Sequence, residues 1–327
     1  MTSVHGPTRA PAARGRRSDL KAARRRARRQ ERDYAETQLR VFGVRKRTLN
    51  MMTAACVVFA LFTLLPIAWI VINATKTQTN IFHSFGFWFA RPFVFFHNLT
   101  SLTHPLDIGG NYLRWLRNSL VYSVVAGLGA TAVSGLAGYG FARFDFRGSR
   151  AMFGALIAVL MVPIAAVTFP LYLVYAKVGL INTIWGMVLP CMVSPVGMYL
   201  MRTFVGGAVP VELVEAARID GAGELKIFVR VGLPLMVPGL VTVLLLSVVG
   251  VWNNYFLPLI IFNRSTLYPL TVGLGILSSQ ANSVNNGYPL TPLVVVGALV
   301  SILPLVLLFA LLQRYWRGGL LTGSTTG

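Results

Sequence analysis

Six long apolar stretches constrain the fold of this chain more than any other feature of its sequence. They lie at about residues 49–72, 117–141, 151–175, 184–205, 235–262 and 292–313. Each is close to the roughly 20 residues that an α-helix needs to cross the hydrocarbon core of a bilayer. Unpaired backbone groups are costly in lipid, so apolar runs of this length cross as helices. The sequence therefore predicts an all-α, polytopic membrane protein with six transmembrane helices.

The scarcity of charge supports this prediction. Charged residues make up 12% of the chain, whereas soluble domains carry about a quarter. Half of the basic residues are also concentrated at one end, since residues 1–50 hold 15 of the 30 Lys and Arg. A water-soluble protein could not cover its surface with the few charges that remain, but a bilayer removes that need.

The same pattern predicts the domain organisation. Residues 1–48 form an Arg-rich tail without the apolar residues for a core, and we expect it to be disordered and cytoplasmic. Residues 49–313 form the transmembrane domain, and residues 314–327 form a short cytoplasmic tail. The net charge of +20 comes mainly from the first tail. Because this tail precedes a membrane span, we expect it to attract anionic membrane lipid rather than nucleic acid.

The connections between the stretches predict the orientation. The N-terminal tail, residues 142–150, residues 202–233 and the C-terminal end together carry 24 Lys and Arg. The other connections carry six, which are Lys76, Arg91, Arg114, Arg117, Lys177 and Arg264. Cytoplasmic connections of membrane proteins are enriched in Lys and Arg. The first set is therefore predicted to be cytoplasmic, and an even number of spans agrees with both termini being there.

The segment between the fourth and fifth stretches is unusually acidic for this chain. Four carboxylates fall within 13 residues: Glu212, Glu215, Asp220 and Glu224. Their clustering indicates a structured loop exposed to water. Pro210 suits a first helical position because its missing N–H would be unpaired there. Glu215 can pair with Arg218 at i,i+3.

The same loop contains a helix stop. Asp220 and Gly221 end the first helix, since glycine readily adopts the left-handed conformation at helix C-termini. A second short helix is predicted over about residues 223–231, leading to Leu233 and Pro234, where the fifth span begins. The loop therefore reads as two short helices joined by a turn.

The loop also resembles the EAA loop of permeases from bacterial ATP-binding-cassette (ABC) importers. That pattern is EAA, three residues, G, nine residues, then I, any residue, L and P. Here the elements are Glu215-Ala216-Ala217, Gly221 and Val231-Gly232-Leu233-Pro234, with Val231 in place of Ile. Asp220 and Ala222 beside Gly221 are also typical of the family.

Three further segments resemble the carbohydrate-uptake permeases of this family, of the maltose and glycerol-phosphate types. They are GYGFARFDFRG at residues 138–148, WNNYFLPL at residues 252–259 and YPLTVGL at residues 268–274. The ending QRYWRGGL at residues 313–320 fits the same group. The resemblance is to the shorter, six-span partner of the permease pair, and the Arg-rich tail has no counterpart in it.

The resemblance implies a function and a set of partners. The chain would be a permease subunit, in a bacterial cell membrane, of an importer for a sugar, oligosaccharide or related polyol. Its partners would be a second homologous permease, two cytoplasmic ATP-binding subunits and an extracytoplasmic solute-binding protein. The first short helix of the loop and the turn after it would form a coupling helix. It would contact an ATPase through Glu215, Ala216, Ala217, Asp220, Gly221 and Ala222. Leu233 and Pro234 would set the entry to the next span.

Two other functional classes would require residues that this sequence lacks. A membrane-embedded enzyme acting on lipid would need a catalytic cluster of carboxylates, histidines or serines, and the sequence contains none. A secondary transporter driven by an ion gradient usually needs buried ionisable residues, and the apolar stretches lack Asp and Glu. The chain also lacks a G-x-x-x-x-G-K-[ST] loop. We therefore expect no cofactor in this chain, with ATP bound by the partner subunits.

The solute path is predicted from polar residues within the fifth stretch. Asn253 and Asn254 are candidates there, with Tyr255 beside them. An Asn amide both donates and accepts hydrogen bonds, which suits sugar hydroxyls. The structural alternative is that these amides make hydrogen bonds between helices.

Overall fold

The computed structural model describes residues 46–104, 110–282 and 290–319, and their regular structure is helical. This confirms the predicted all-α class. The chain divides into two units, residues 1–67 and residues 68–327. Most of the predicted N-terminal tail and the last eight residues lie outside the described part of the chain.

Fourteen helices occupy the described ranges. They are α1 (Lys46–Asn73), α2 (Gln78–His83), α3 (Phe95–Thr103), α4 (Tyr112–Arg143), α5 (Ser149–Leu160), α6 (Ile164–Val178), α7 (Ile184–Cys191), α8 (Pro195–Ala208), α9 (Val211–Ile219), α10 (Glu224–Ile227), α11 (Leu233–Trp252), α12 (Phe256–Ile261), α13 (Leu270–Ala281) and α14 (Leu290–Gly319). A π-helical turn over Phe228–Gly232 joins α10 to α11, and a 3₁₀ turn over Ser265–Leu267 precedes α13.

Within the described residues, five helical segments are long and apolar enough to cross a membrane. They are Arg47–Asn73, Tyr112–Arg143, Ile184–Ala208, Glu224–Trp252 and Leu290–Gln313. Shorter apolar helices accompany them. The chain is thus a polytopic membrane protein, as predicted.

The third predicted stretch is not one helix. Residues 151–175 form most of α5 and α6, which are separated by Met161–Pro163. Pro163 has no N–H to continue the helical ladder, so a new helix starts after it.

The fourth and fifth stretches are also interrupted. α8 begins anew at Pro195, where the Ser194 hydroxyl caps the helix by accepting from the Gly197 N–H at 3.1 Å. α11 ends at Trp252, so the predicted stretch 235–262 contains a non-helical break at residues 253–255. At the other end of the chain, α14 continues to Gly319, beyond the predicted boundary at 313.

The described part of the first unit is residues 46–67 of α1. Its apolar side chains are exposed along the whole segment, for example Met51, Phe59 and Phe62. A helix that is apolar and exposed on every side suits a surround of lipid or of another apolar helix.

In the second unit, α4 packs mainly against α8 and α11. Small residues allow these helices to approach closely, as is usual in membrane bundles. A Cβ atom at Gly127 would lie 2.5 Å from Val248 Cγ2, and one at Gly135 would lie 2.8 Å from Leu240 Cδ2. A Cβ at Gly138 would meet the Met201 side chain and lie 2.8 Å from the backbone nitrogen of Arg202.

α4 also contributes to three buried clusters along its length. Tyr112 and Trp115 join the first cluster, with residues of α13 and α14. Tyr122 and Ala126 join the second, with residues of α7 and α12. Tyr139 joins the third, with residues of α8, α9 and α11. α4 therefore contributes side chains to all three of these clusters.

Buried polar side chains organise the connection that follows α1. Asn73 Nδ2 donates to the carbonyl of Gly86 at 2.9 Å, and Lys76 Nζ donates to that of Phe85 at 2.9 Å. Asn98 Nδ2 donates to the carbonyls of Ala74 and Lys76. Burial lowers the pKa of the Lys76 ammonium. These bonds give hydrogen-bond partners to backbone carbonyls of the connection. Aromatic side chains of the same connection, such as Trp88, remain exposed.

Replacing Gly138 by Ala tests the close packing of α4. The added methyl group meets the backbone of α8, and overpacking of this kind costs about 1 to 3 kcal/mol. We expect a lower temperature of thermal unfolding in detergent for Gly138→Ala. Gly140→Ala is the matched control, because its Cβ would have nothing within 4 Å on the same helix. Equal unfolding temperatures for the two variants would contradict the packing described here.

Candidate functional site

The acidic loop begins where α8 ends. The Val209 N–H donates to the carbonyl of Val205 at 3.1 Å, which closes α8. Pro210 follows with an extended backbone and α9 starts at Val211. Pro210, which was predicted at the first helical position, therefore lies one residue earlier, at the N-cap of α9. Glu212 occupies the first turn of α9, where a negative charge complements the helix dipole.

The end of α9 explains why three residues of the EAA pattern are small. Gly221 has φ +76°, which is the left-handed region that favours glycine. The Gly221 N–H donates to the carbonyl of Arg218, and the Ala222 N–H donates to that of Ala217, both at 3.0 Å. This pair of bonds is the Schellman motif, which usually brings together the two residues placed here at Ala217 and Ala222. Both alanines pack against the third buried cluster.

Arg218 pairs with a different carboxylate from the predicted one. Its Nε donates to Glu224 Oε1 at 2.6 Å, across the turn that ends α9. The predicted i,i+3 pair with Glu215 does not form, because the turn at Gly221 brings Glu224 back to the end of the helix. The hydrogen bond with Glu224 raises the pKa of the Arg218 guanidinium, with a smaller contribution from the charge of Glu215.

The two faces of the loop differ in character. On the inner face, Val214 and Ile227 are buried against Tyr139 of α4 and residues of α8 and α11. On the outer face, Glu215 and Ala216 are exposed.

The outer face also contains large apolar side chains. Ile219 is 86% exposed and Leu225 is 76% exposed. A shallow groove runs beside Leu225, lined by Gly223, Glu224, Leu225, Lys226, Val229 and Arg230. Ile219 and Leu225 therefore add exposed apolar area to the acidic outer face of the loop.

The passage into the fifth span is continuous rather than broken. α10 runs through the π-helical turn directly into α11, with Leu233 and Pro234 in the first turn of that helix. Pro234 has no N–H to donate to the preceding turn, and the wider π-helical turn lies directly before this helix. Gly232 lies against Tyr139, whose Cε2 would be 2.8 Å from an added Cβ. The predicted separate helix over 223–231 is thus the start of one long helical segment.

The structure adds α4 to the site, which spacing in the sequence did not indicate. Arg143 Nη2 donates to the carbonyl of Val205 at 2.8 Å and to that of Val209. Tyr139 packs edge-on against Phe228, with ring centroids 5.0 Å apart. Segment 138–148 and loop 209–234 were separate resemblances in the sequence, and they are in contact in the fold. No local signal connects them, because the partners are at least 62 residues apart in the sequence.

The candidate solute-path residues lie in the break between α11 and α12. Asn253 is exposed, and its Nδ2 donates to the carbonyl of Val249 at 2.9 Å. Asn254 Oδ1 accepts from the Leu257 N–H at 3.4 Å, and its Nδ2 is 3.8 Å from Cys191 Sγ. Tyr255 is exposed. Asn254 is therefore engaged in holding the break, whereas Asn253 and Tyr255 have surfaces that face outward.

The described residues give no evidence of a catalytic or metal-binding site. No group of three or more His, Cys, Asp or Glu among them could hold a metal ion. The carboxylates among them are Asp145, Glu212, Glu215, Asp220 and Glu224, and all of them are exposed.

Comparison with known proteins assigns this architecture to a family. Residues 130–318 match the family described as "Binding-protein-dependent transport system inner membrane component". The chain is 34% identical over 218 residues to the arabinooligosaccharides transport system permease protein AraQ of Halalkalibacterium halodurans, covering 67% of this chain and 76% of that protein. It is 28% identical over 288 residues to the melibiose/raffinose/stachyose import permease protein MelC of Bacillus subtilis, covering 87% and 99%.

A solved structure has the same fold. It belongs to a bacterial ABC transporter involved in the import of the acidic polysaccharide alginate. The TM-score is 0.69 at 22% identity, covering 85% of this chain and 98% of that one.

Replacing Gly221 by Ala tests the turn that ends α9. A side chain in the left-handed conformation costs about 1 to 2 kcal/mol, so the amides of Gly221 and Ala222 should open more readily. We expect hydrogen exchange at these amides to be about fivefold faster or more, measured by mass spectrometry. Gly207→Ala in α8 is the control, because its Cβ would have nothing within 4 Å and its φ is not positive. Unchanged exchange in Gly221→Ala would show that the turn does not depend on glycine.

Proposed function

The chain belongs to the family of binding-protein-dependent transport system inner membrane components, and from this premise we propose that residues 209–234 couple it to an ATPase. It is a permease subunit of an ABC importer and not itself an enzyme. The observation that carries the proposal is the two-faced loop: Val214 and Ile227 fasten it to the membrane bundle, while Glu215 and Ala216 face outward.

Each residue of the EAA pattern has a role in this proposal. Glu215 and Ala216 contact the ATPase from the exposed face of α9. Ala217, Gly221 and Ala222 shape the turn that presents that face, through the bonds described above. Asp220 is exposed beside them and adds to the contact.

The last two residues of the pattern pass the motion into the membrane. Leu233 and Pro234 lie in the first turn of α11, which follows the loop without a break. A displacement of the loop is therefore transmitted to a transmembrane helix along one helical segment. Alternating access follows when closure of the ATPases moves the loop and α11 with it.

The proposed assembly contains four kinds of partner. They are a second, homologous permease subunit, two cytoplasmic ATP-binding subunits, an extracytoplasmic solute-binding protein and membrane lipid. ATP is bound by the partner subunits, which agrees with the lack of a G-x-x-x-x-G-K-[ST] loop in this sequence.

We propose that α5 and α6 together make the sixth crossing. At 1.5 Å per residue, α5 and α6 are about 18 and 22 Å long, and in series they exceed the roughly 30 Å of the hydrocarbon core. Six crossings would put both termini on the same side of the membrane, and the distribution of Lys and Arg favours the cytoplasm of a bacterial cell.

The solute is proposed to be a sugar, an oligosaccharide or a related polyol. This rests on the relatives named for arabinooligosaccharides and for melibiose, raffinose and stachyose. Asn253, Asn254 and Tyr255 remain the candidate path residues in this chain, with Asn253 and Tyr255 favoured because they are exposed. An ion-driven secondary transporter is not favoured, since no carboxylate is buried within the described residues.

Charge changes on the outer face of α9 test the coupling proposal. Ile219→Asp or Glu215→Lys should weaken binding of the ATPase by about fivefold or more, because truncating or charging a central interface residue costs over 1 kcal/mol. Binding is measured with purified permease complex in nanodiscs. Asp145→Lys is the control, since Asp145 is exposed in another cytoplasmic connection. Wild-type affinity and transport in both loop variants would contradict the proposal.

Uptake measurements test the proposed solute class. Proteoliposomes containing the complete importer and its binding protein should accumulate radiolabelled oligosaccharide in an ATP-dependent manner. A protonophore should leave this uptake unchanged, because an ion gradient does not drive it. ATP-dependent uptake restricted to amino acids or metal ions would contradict the carbohydrate assignment.

A further inference from the structure

The N-terminal half of α4, which we call its outer half, makes hydrogen bonds to a segment that is distant in sequence. Asn118 Nδ2 donates to the carbonyls of Thr266 at 2.9 Å and Tyr268 at 3.0 Å. The Tyr122 hydroxyl donates to the carbonyl of Leu267 at 2.9 Å. Three consecutive carbonyls of the connection between α12 and α13 are therefore bonded to side chains of one helix.

The bond network extends from this segment to the break after α11. Ser119 Oγ accepts from the Leu270 N–H at 2.8 Å, at the start of α13. One residue later, the Thr271 hydroxyl donates to the carbonyl of Asn254 at 2.8 Å. Asn118, Ser119 and Tyr122 are all buried. Residues 264–271, which we call the outer segment, are thus fixed both to α4 and to the candidate solute path.

The C-terminal end of α4, which we call its inner end, contacts both ends of the loop over residues 209–234. We call this loop the coupling loop, after its proposed function. Arg143 donates to the carbonyls of Val205 and Val209, where α8 leads into the loop. Tyr139 packs against Gly232 and Phe228, where the loop leads into α11. These contacts seat the loop on α4 as well as on its own flanking helices.

α4 is well suited to transmit movement between the coupling loop and the outer segment. It runs unbroken for 32 residues and contains no proline. By contrast, α1, α11 and α14 contain Pro66, Pro238 and Pro304. The distance from Asn118 to Arg143 along the helix is about 38 Å at 1.5 Å per residue. A rigid element that contacts two sites can bias both together.

From these contacts we propose that α4 is the rigid link between the coupling loop and the outer segment. Asn118, Ser119 and Tyr122 are its outer positioning residues, and Tyr139 and Arg143 are its inner ones. Movement of the loop on ATP binding displaces α4 and, with it, the outer segment. In the reverse direction, docking of the binding protein outside changes the ATPase through the same helix. This inference rests on the proposed function of the loop.

Two tyrosines of α4 provide a matched test. Tyr122→Phe removes the hydrogen bond to the outer segment, while Tyr112→Phe removes one to Gly297 of α14 at 2.8 Å. Both rings are buried to the same extent. The measured quantity is the ratio of ATPase rates with and without solute-loaded binding protein, in the reconstituted importer. We expect Tyr122→Phe to lower this ratio by about fivefold, in the range of measured allosteric couplings, and Tyr112→Phe to leave it unchanged.

The inner end is tested in the same assay. Arg143→Met should lower the ratio as Tyr122→Phe does, and Arg143→Lys should restore part of it because lysine can still donate to a carbonyl. Arg147→Met is the control, since Arg147 is exposed four residues further on.

The outcomes separate the inference from its premise. An unchanged ratio in Tyr122→Phe, or an equal fall in Tyr112→Phe, would overturn the role of α4 while leaving the coupling loop intact. Failure of the unmodified importer to respond to binding protein would overturn the proposed function, and the inference with it.

Discussion

Backbone hydrogen bonding in an apolar surround governs this structure. A backbone carbonyl or N–H without a partner costs several kcal/mol inside a bilayer, so each interruption of a helix needs a replacement partner. Here polar side chains supply many of these partners. Asn73 and Lys76 bond the backbone after α1, and Asn118 and Tyr122 bond the backbone between α12 and α13. These polar side chains therefore bond the backbone at places where helices stop.

The loop over residues 209–234 illustrates the same constraint between α8 and α11. Arg143 bonds the carbonyls at the end of α8, and its positive charge complements the negative end of that helix dipole. The Schellman bonds at Gly221 satisfy the end of α9. Glu215 and Ala216 on the outer face of α9 remain exposed within the described residues.

Close packing determines which parts can move together. Gly127, Gly135 and Gly138 bring α4 against α8 and α11 with no space for a further methyl group. Interiors packed at this density transmit displacement rather than absorb it. The breaks at residues 161–163 and 253–255 have no continuous helical ladder across them. The second unit thus combines one uninterrupted helix with neighbours that contain natural bending points.

Much of this organisation is readable from the sequence because it depends on local chemistry. Hydrophobic length predicts the spans, and the helix end at Gly221 follows from the conformational preference of a single residue. The partners of Arg218 and Arg143 were not predictable in this way. Glu224 replaces Glu215 because a turn reverses the chain, and Val205 meets Arg143 across 62 residues of sequence. The break after Trp252 likewise depends on neighbours, because Thr271 donates to the carbonyl of Asn254 and the Asn254 amide lies beside Cys191. Local sequence determines which segments are helical, because it depends on hydrophobic length and single-residue preference. The bonds of Arg143 and those at the break after Trp252 join segments that are distant in sequence, so they exist only once the helices have packed.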